Sequence, residues 1–468
     1  MPASIVWFRN DLRLADNPAL IAALEQGRPV VPVYVLDEET AGVRAPGAAS
    51  RWWLHHSLVA LDASLRTLGS RLILRRGAAE AVLFELAADC GATSIHWNRA
   101  YDPGARERDT RLKQAFKQRG MTAGSHKGNL LFEPWEVATQ AGQPFKVFTP
   151  FWRACRALPP PGAPLPAPKL LPAPAAWPRS DALSDWKLLP TAPDWAGGLR
   201  TGWTPGEAAA KRRLGDFLDD ALPRYREARD LPAVDGTSRL SPHLAFGEIS
   251  PRQIWQAANA LEPSAAIEKF LAEVGWREFA NNLLFHFGDL AQHNFRSEFD
   301  AFPWQEPGDA LKAWRRGRTG YPIVDAGLRE LWTTGYMHNR VRMIVASFLT
   351  KDLLIDWRHG ERWFWETLVD ADAANNATGW QWVAGCGADA APYFRVFNPV
   401  LQGEKFDPGG DYVRRWIPEL AYLPADTVHR PWTAPRPPPP DVYPAPIVDH
   451  AAARDRALAA FRTIRKNA

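Results

Sequence analysis

Along the first 130 residues, short apolar runs alternate with longer stretches whose apolar residues recur every three or four positions. The runs at Ile5–Phe8, Val30–Leu36, Arg71–Leu74 and Ser94–Trp97 read as strands. The stretches at Asn17–Gln26, Ser50–Leu68, Ala78–Asp89 and Gly104–Arg119 read as helices. Strand–helix alternation of this kind predicts a parallel sheet with right-handed crossovers and helices on both faces, a Rossmann-like doubly wound α/β domain over 1–130. Its first turn, Arg9-Asn10-Asp11-Leu12-Arg13, lacks the GxGxxG pattern, so no dinucleotide is expected in the usual place.

The periodicity then stops. From Leu158 to about Pro193 the chain is dominated by Pro and Ala, as in PPPGAPLPAPKLLPAP, which packs neither as helix nor as central strand. Residues 131–203 are read as a connector lying over the surface. Beyond Thr204 the signals are helical, at Glu207–Leu222, Pro251–Ala260, Ala265–Phe287, Pro322–Thr334, His338–Leu354 and Glu361–Leu368. Residues 204–468 therefore read as an all-α domain, without strand signals or internal repeat.

Composition narrows the class. With 468 residues the chain exceeds one ordinary core. Its 46% hydrophobic and 23% charged residues are those of a globular protein. No apolar run approaches the roughly 18 residues of a membrane span, and charges follow the first short apolar run too soon for a signal peptide, so the cytosol is the default. Cys90, Cys155 and Cys386 are scattered and form no metal or disulfide spacing, and no metal site is expected. A net charge of +4 permits a nucleic-acid partner if the arginines cluster. The 22 tryptophans exceed what core packing usually asks, and Trp also stacks on flat ligands and oxidises easily.

Four segments could carry chemistry. Thr237-Ser238-Arg239-Leu240-Ser241 sets three hydroxyls and an arginine before a helix start, either an anion site or a simple N-cap. Glu273, Trp276 and Arg277 stand at i, i+3 and i+4 on one face of a predicted helix with Phe270 and Phe279; this is either a surface ion pair or the wall of a binding pocket. His338-Asn339-Arg340-Val-Arg342-Met343 repeats that logic on another helix. Asp370 through Trp382 is a polar, small-residue turn running into tryptophans, with too few clustered ligands for a metal but acid and amide groups suited to a heterocycle or ribose.

Taken together, WFRNDLRLADN, YREARDLPAVDGTSRLS, WREF, TGYPIVDAG, MHNRVRM, KDLLIDW, DADAANNATGWQW and APYFRVFNPVLQGEKFD resemble the photolyase/cryptochrome family over nearly the whole chain. The look is that of cyclobutane pyrimidine dimer photolyases, and WWLHHSL, WNRAYDP and PDWAGGL point to the class III branch. The resemblance implies FAD in the helical domain, active as FADH−. Tyr225, Thr237, Ser238, Leu240 and Ser241 match its phosphate positions, with Arg239 in the same motif. Phe270, Arg277, Asn339 and Arg342 match flavin-pocket positions, although Phe270 stands where class I relatives often have Trp. Asp370 and Asp372 match acids near the isoalloxazine and ribose, and Asn376 the residue facing flavin N5. Trp276 and Trp382 match the walls around a flipped lesion, Glu273 a carboxyl that donates to the dimer if burial protonates it, and Met343 a lesion contact. Arg229, Arg340 and Arg395 match positions near the DNA backbone. Trp380, Trp357 and Trp304 match a tryptophan chain that reduces the flavin, the alternative being three core tryptophans. In the implied reaction, light drives one electron to a pyrimidine dimer in UV-damaged DNA, the cyclobutane splits and the electron returns.

The resemblance also implies a 5,10-methenyltetrahydrofolate antenna in the first domain, a monomer, and a bacterial-type cytoplasmic protein that joins the nucleoid when bound to DNA. Tyr101-Asp102-Pro103-Gly104-Ala105 lacks the Asn-Glu pair of class I folate sites; Trp53 and His56 are alternatives, with core packing and helix surface open for them. A blue-light photoreceptor is the rival function, opposed by an amide at 376 where the plant type has an acid. Repair of (6-4) photoproducts is opposed by the single His of Met337-His338-Asn339 and by three cysteines where an iron–sulfur cluster needs four ligands. A flavin-binding structural protein is opposed by intact Glu273, Trp276 and Trp382.

Overall fold

The computed structural model describes residues 2–390 and 394–466, so Ala391, Pro392 and Tyr393 of the APYFRVF motif lie outside the described residues. The chain packs as two compact units, one running from the N-terminus to Trp195 with Trp203–Asp220 and Ser238–Gly288, the other comprising Ala196–Gly202, Ala221–Thr237 and Asp289–Ala468.

The first unit holds a five-stranded parallel sheet, β1 (Ala3–Phe8), β2 (Val30–Leu36), β3 (Ile73–Arg76), β4 (Ala92–Asn98) and β5 (Thr122–His126), in the order β3-β2-β1-β4-β5. Every residue of β1 is buried, as befits the central strand of a sheet covered on both faces. The intervening helices are α1 (Pro18–Leu24), α2 (Ala48–Thr67), α3 (Ala79–Asp89) and α4 (Pro103–Gln118). α1 and α4 start where the sequence signals a start. Asn17 and Asp102 accept from the backbone N–H of Leu20 and Ala105, each with Pro at the first helical position.

The sequence pattern misses β5 because TAGSH carries almost no apolar side chain. As an edge strand it needs only one paired side, which β4 supplies in the register Ser94–Thr122 to Asn98–His126. Gly124 is required there, since a Cβ would stand 2.7 Å from His96 Nδ1. At the carboxyl ends of β1 and β4, where the strand order reverses and ligands usually bind in this fold, the chain fills the crevice itself. Buried Arg13 donates to the carbonyls of Asp16, Gly128 and Gly247, and Asn98 donates to Asp11 and Asn17.

The proline-rich stretch has one short 3-10 turn, Leu183–Trp186, and is tied down along the sheet unit: Leu165 N–H donates to Asp16, Val30 N–H to the Pro172 carbonyl, and Asp181 N–H to the Leu74 carbonyl. Before it lies α5 (Phe148–Ala157), inside the residues read as connector. α6 (Ala265–Phe287) also packs in this unit, capped by Ser264 and ended by Gly288 at φ +82°.

Among its described residues the second unit has helices and no strand. α7 (Pro322–Thr334), α8 (Asn339–Ser347), α9 (Trp357–Thr367) and α10 (Ala373–Ala384) surround a core containing Trp314, Phe348, Trp357 and Trp380. The single helix expected over His338–Leu354 divides: regular turns end at Ser347 and continue as a wider π segment, Phe348–Asp352. The helix expected to Leu222 likewise widens at Phe217. No helix of the described residues is long and apolar enough to cross a membrane, and among them no group of three or more His, Cys, Asp or Glu side chains could hold a metal.

Candidate functional site

In the second unit, Asp372 caps α10 by accepting from the Asn375 N–H at 2.7 Å, which sets the helix start and brings Asn376 inward. Asn376 is buried, and its Nδ2 donates to the Glu361 carboxylate at 2.8 Å and the Glu361 carbonyl at 3.0 Å. With both amide hydrogens engaged, the amide offers its carbonyl Oδ1 as an acceptor. Two residues before the cap, buried Asp370 pairs with Arg342 of α8 at 2.8 Å, and Arg342 also donates to the Met337 carbonyl at 2.7 Å. Burial works against the Arg342 charge, but Asp370 outweighs it and holds the guanidinium above its ordinary range. Asn339, three residues before Arg342, is exposed.

The tryptophans divide in environment. Trp380 is buried edge-on to Trp314 and Phe364, at ring distances of 6.1 and 4.9 Å. Trp357 is buried and donates to Asn294 at 2.9 Å, while Trp304 is partly exposed and leans on Phe302. Trp382 is half-buried, its indole N–H donating to the Asp389 carbonyl at 3.0 Å.

Two of the arginines read as DNA contacts meet at a surface cavity of about 360 Å³, lined by Arg340, Arg395, Asn398, Gln402, Lys405 and Phe406 among others. Among the described residues its lining has three cations and no carboxylate. Arg340 lies over the Phe406 ring and pairs with Asp230, beside Arg229, whose guanidinium lies 5.4 Å from the centre of the buried Tyr225 ring. Met343 accepts from Arg340 at 3.8 Å. The Arg395 carbonyl accepts from Lys351 Nζ at 2.6 Å; burial pushes the Lys351 ammonium down to about 7. His338, which accepts from the Arg340 N–H, is pushed down to about 4 by burial.

In the first unit, Trp276 of α6 stacks on Phe148 of α5 with ring centres 3.9 Å apart. Glu273 lies three residues before Trp276 on the same helix. It keeps 27% of its side chain exposed and ion-pairs with Lys269 at 2.9 Å. Arg277 turns away to the Asn129 carbonyl, at 2.8 Å. Its neighbour Glu278 is the enclosed carboxyl of this helix, pushed up to about 7 by burial although Arg277 and the N–H groups of Phe132 and Leu131 oppose the shift. Phe270 is buried against Phe217.

The Thr237–Ser241 segment runs into a short helix. Leu240 occupies the N-cap of the short helix Ser241–Ala245 without a side-chain cap, and Arg239 adopts φ +50° and lies over Trp203. For Trp53, core packing is the outcome: it is fully enclosed and donates to Glu248 at 3.1 Å, while His56 meets Trp52 edge-on at 4.6 Å.

Glu361, Lys405 and Phe148 were not singled out from the sequence. Glu361 lies 15 residues from the amide it orients, on a different helix, and Phe148 lies in a stretch dismissed as connector. Lys405 stood within a quoted motif and could have been found there by its charge beside Phe406.

Residues 270–463 match the family model described as the FAD binding domain of DNA photolyase, and residues 4–169 match the DNA photolyase model. The chain is 54% identical to the deoxyribodipyrimidine photo-lyase of Agrobacterium fabrum, covering 99% of this chain and 98% of that one. It is 41% identical to cryptochrome-1 of Arabidopsis thaliana over 92% of this chain and 65% of that protein. Among solved structures it resembles a bacterial class III photolyase from Agrobacterium tumefaciens with a TM-score of 0.96 at 53% identity, covering 100% of this chain and 98% of that one.

Proposed function

This chain belongs to the photolyase/cryptochrome family, and from that premise we propose that it is a class III deoxyribodipyrimidine photo-lyase that repairs pyrimidine dimers in UV-damaged DNA by light. The observation that carries the reading is Asn376, an amide locked by Glu361 so that a carbonyl oxygen is what it presents. That acceptor suits the N–H of a reduced flavin ring and supplies no acidic proton, which favours repair over the photoreceptor alternative.

The polar groups at the start of α10 fit FAD in kind: an acceptor at Asn376, and a buried Arg342–Asp370 pair able to meet ring donors and acceptors. In the second unit Tyr225, Thr237, Asn339, Arg342, Asp370, Asp372 and Asn376 would hold it; Ser238, Arg239, Leu240, Ser241, Phe270 and Arg277 are assigned to it by the resemblance alone. When bound, reduced and excited by blue light, FAD supplies the one-electron donation that the dimer needs. The chain's own residues do the rest. Trp276 and Trp382 offer ring faces to the unstacked bases of the lesion, where stacking is worth about 1–3 kcal/mol per base. Met343 contacts the lesion and Glu273 hydrogen-bonds it, which requires the Lys269 pair to part. Arg229, Arg340 and Arg395, with Lys405, take the phosphates. Trp380, Trp357 and Trp304 are the electron path that keeps the cofactor reduced.

The domain reading accompanies this function: 1–130 for a methenyltetrahydrofolate antenna, whose identity the absorbance of the released pigment reads out, 131–203 as connector and 204–468 for FAD. The protein acts as a cytoplasmic monomer, recruited to the nucleoid by damaged DNA. The test is repair itself. Photoreduced protein mixed with a thymine-dimer oligonucleotide should restore thymine under blue light and none in the dark. Absence of repair with FAD fully reduced would move the function to a photoreceptor.

A further inference from the structure

Trp276 is built into a layered stack. Phe148, the first residue of α5, lies parallel to its indole at 3.9 Å and 9°. Trp152, one turn further along α5, lies parallel to Phe148 at 6.4 Å and 11°, and is itself set edge-on against Trp255 at 6.1 Å and 78°. Phe279 meets both Phe148 and Trp276 edge-on, at 6.0 and 5.9 Å. Gly275 lets the α6 backbone reach this stack, since a Cβ there would stand 2.6 Å from Trp152 Cε3. Phe148 is only 9% exposed, so it offers little surface to any ligand. A flat ring has two faces. One face of Trp276 is covered by Phe148; the residue as a whole is half-buried, and a base stacking on it has only the opposite face to use.

We propose that Phe148 is a positioning residue for lesion recognition: it fixes the plane of Trp276 and closes the back of its ring, so that a flipped dimer meets a preset slab. The inference rests on the reading of Trp276 as a wall of the lesion pocket. A ring held parallel before the lesion arrives loses less freedom on binding, and its covered face admits no water behind the base. Offset or parallel aromatic pairs contribute beyond their buried area, and this contribution reaches the dimer only through Trp276.

The test is affinity in the dark, with full-length FAD-loaded protein, for oligonucleotides with and without one thymine dimer. Phe148→Ala should raise Kd for the dimer strand roughly threefold to tenfold and leave Kd for undamaged DNA and the FAD content unchanged. Phe148→Tyr should restore the dimer affinity. Phe148→Leu, which keeps volume without a plane, should behave like the alanine variant, and serves if that variant folds poorly. In a Trp276→Ala background, Phe148→Ala should add nothing. Equal losses for damaged and undamaged DNA, or full lesion affinity in Phe148→Leu while Trp276→Ala loses it, would overturn the role of Phe148. Full lesion affinity in Trp276→Ala would instead overturn the reading of Trp276 on which it rests.

Discussion

Gly360 on α9 lies beneath the indole of Trp380, and a Cβ there would stand 2.1 Å from Cη2 and 2.4 Å from Cζ3. The contact has no flexible end that could yield, because Trp380 is itself buried between Trp314 and Phe364. In Gly360→Ala, overpacking of about 1–3 kcal/mol should exceed the helix-propensity gain of at most about 1 kcal/mol. A lowered urea midpoint is the expected outcome, and an unchanged one would mean that α9 and α10 part freely. Glycine at 360 looks unfavourable from the sequence, since it weakens a helix interior. Its reason is a ring 20 residues away, which no local pattern carries.

Among the elements, α6 shows how a helix fastens a loop. Glu278 accepts from the N–H groups of Leu131 and Phe132 at 2.8 and 3.2 Å, pinning the chain that follows β5. Burial raises the carboxyl from 4.5 to about 7. The folded state therefore binds more protons than the unfolded one between those values, and stability falls as pH rises through that window. Glu278→Gln keeps an oxygen acceptor and removes the titration. Its thermal midpoint should change less than the parent's between pH 4.5 and 7, and parallel profiles would show that Glu278 does not titrate there. The helices themselves were legible: Ala265–Phe287 and Pro322–Thr334 begin and end where the periodicity predicts. The π segment after Ser347 was not, because a widened turn uses the same apolar spacing as a regular one.

For the molecule as a whole, a net charge of +4 says little until it is distributed. Arg340, Arg395 and Lys405 line one cavity without an acid, while many other arginines are spent internally, such as Arg13 on backbone carbonyls and Arg108 on Asp37. If this cavity meets the phosphate backbone, Lys405→Gln should weaken binding of damaged and undamaged duplex alike. It should also reduce the slope of log K against log salt by about 0.9, the share of one phosphate that the side chain no longer neutralises. An unchanged slope would place Lys405 away from the backbone.

The sequence by itself determined the class of most elements, β5 and α5 excepted, and the family, because strand and helix periodicity and contiguous motifs are local and survive without knowledge of neighbours. It also placed Asp370, Asp372 and Asn376 in one short polar segment, since residues a few positions apart stay close whatever the fold. Only the tertiary structure decided the partners. It gave Asn376 to Glu361, Glu273 to Lys269, Arg277 to the Asn129 carbonyl, and Trp276 to Phe148. Such choices depend on which side chains packing brings within about 3–4 Å, and on which charges burial leaves without water. Neither quantity is written in the spacing of residues along a chain.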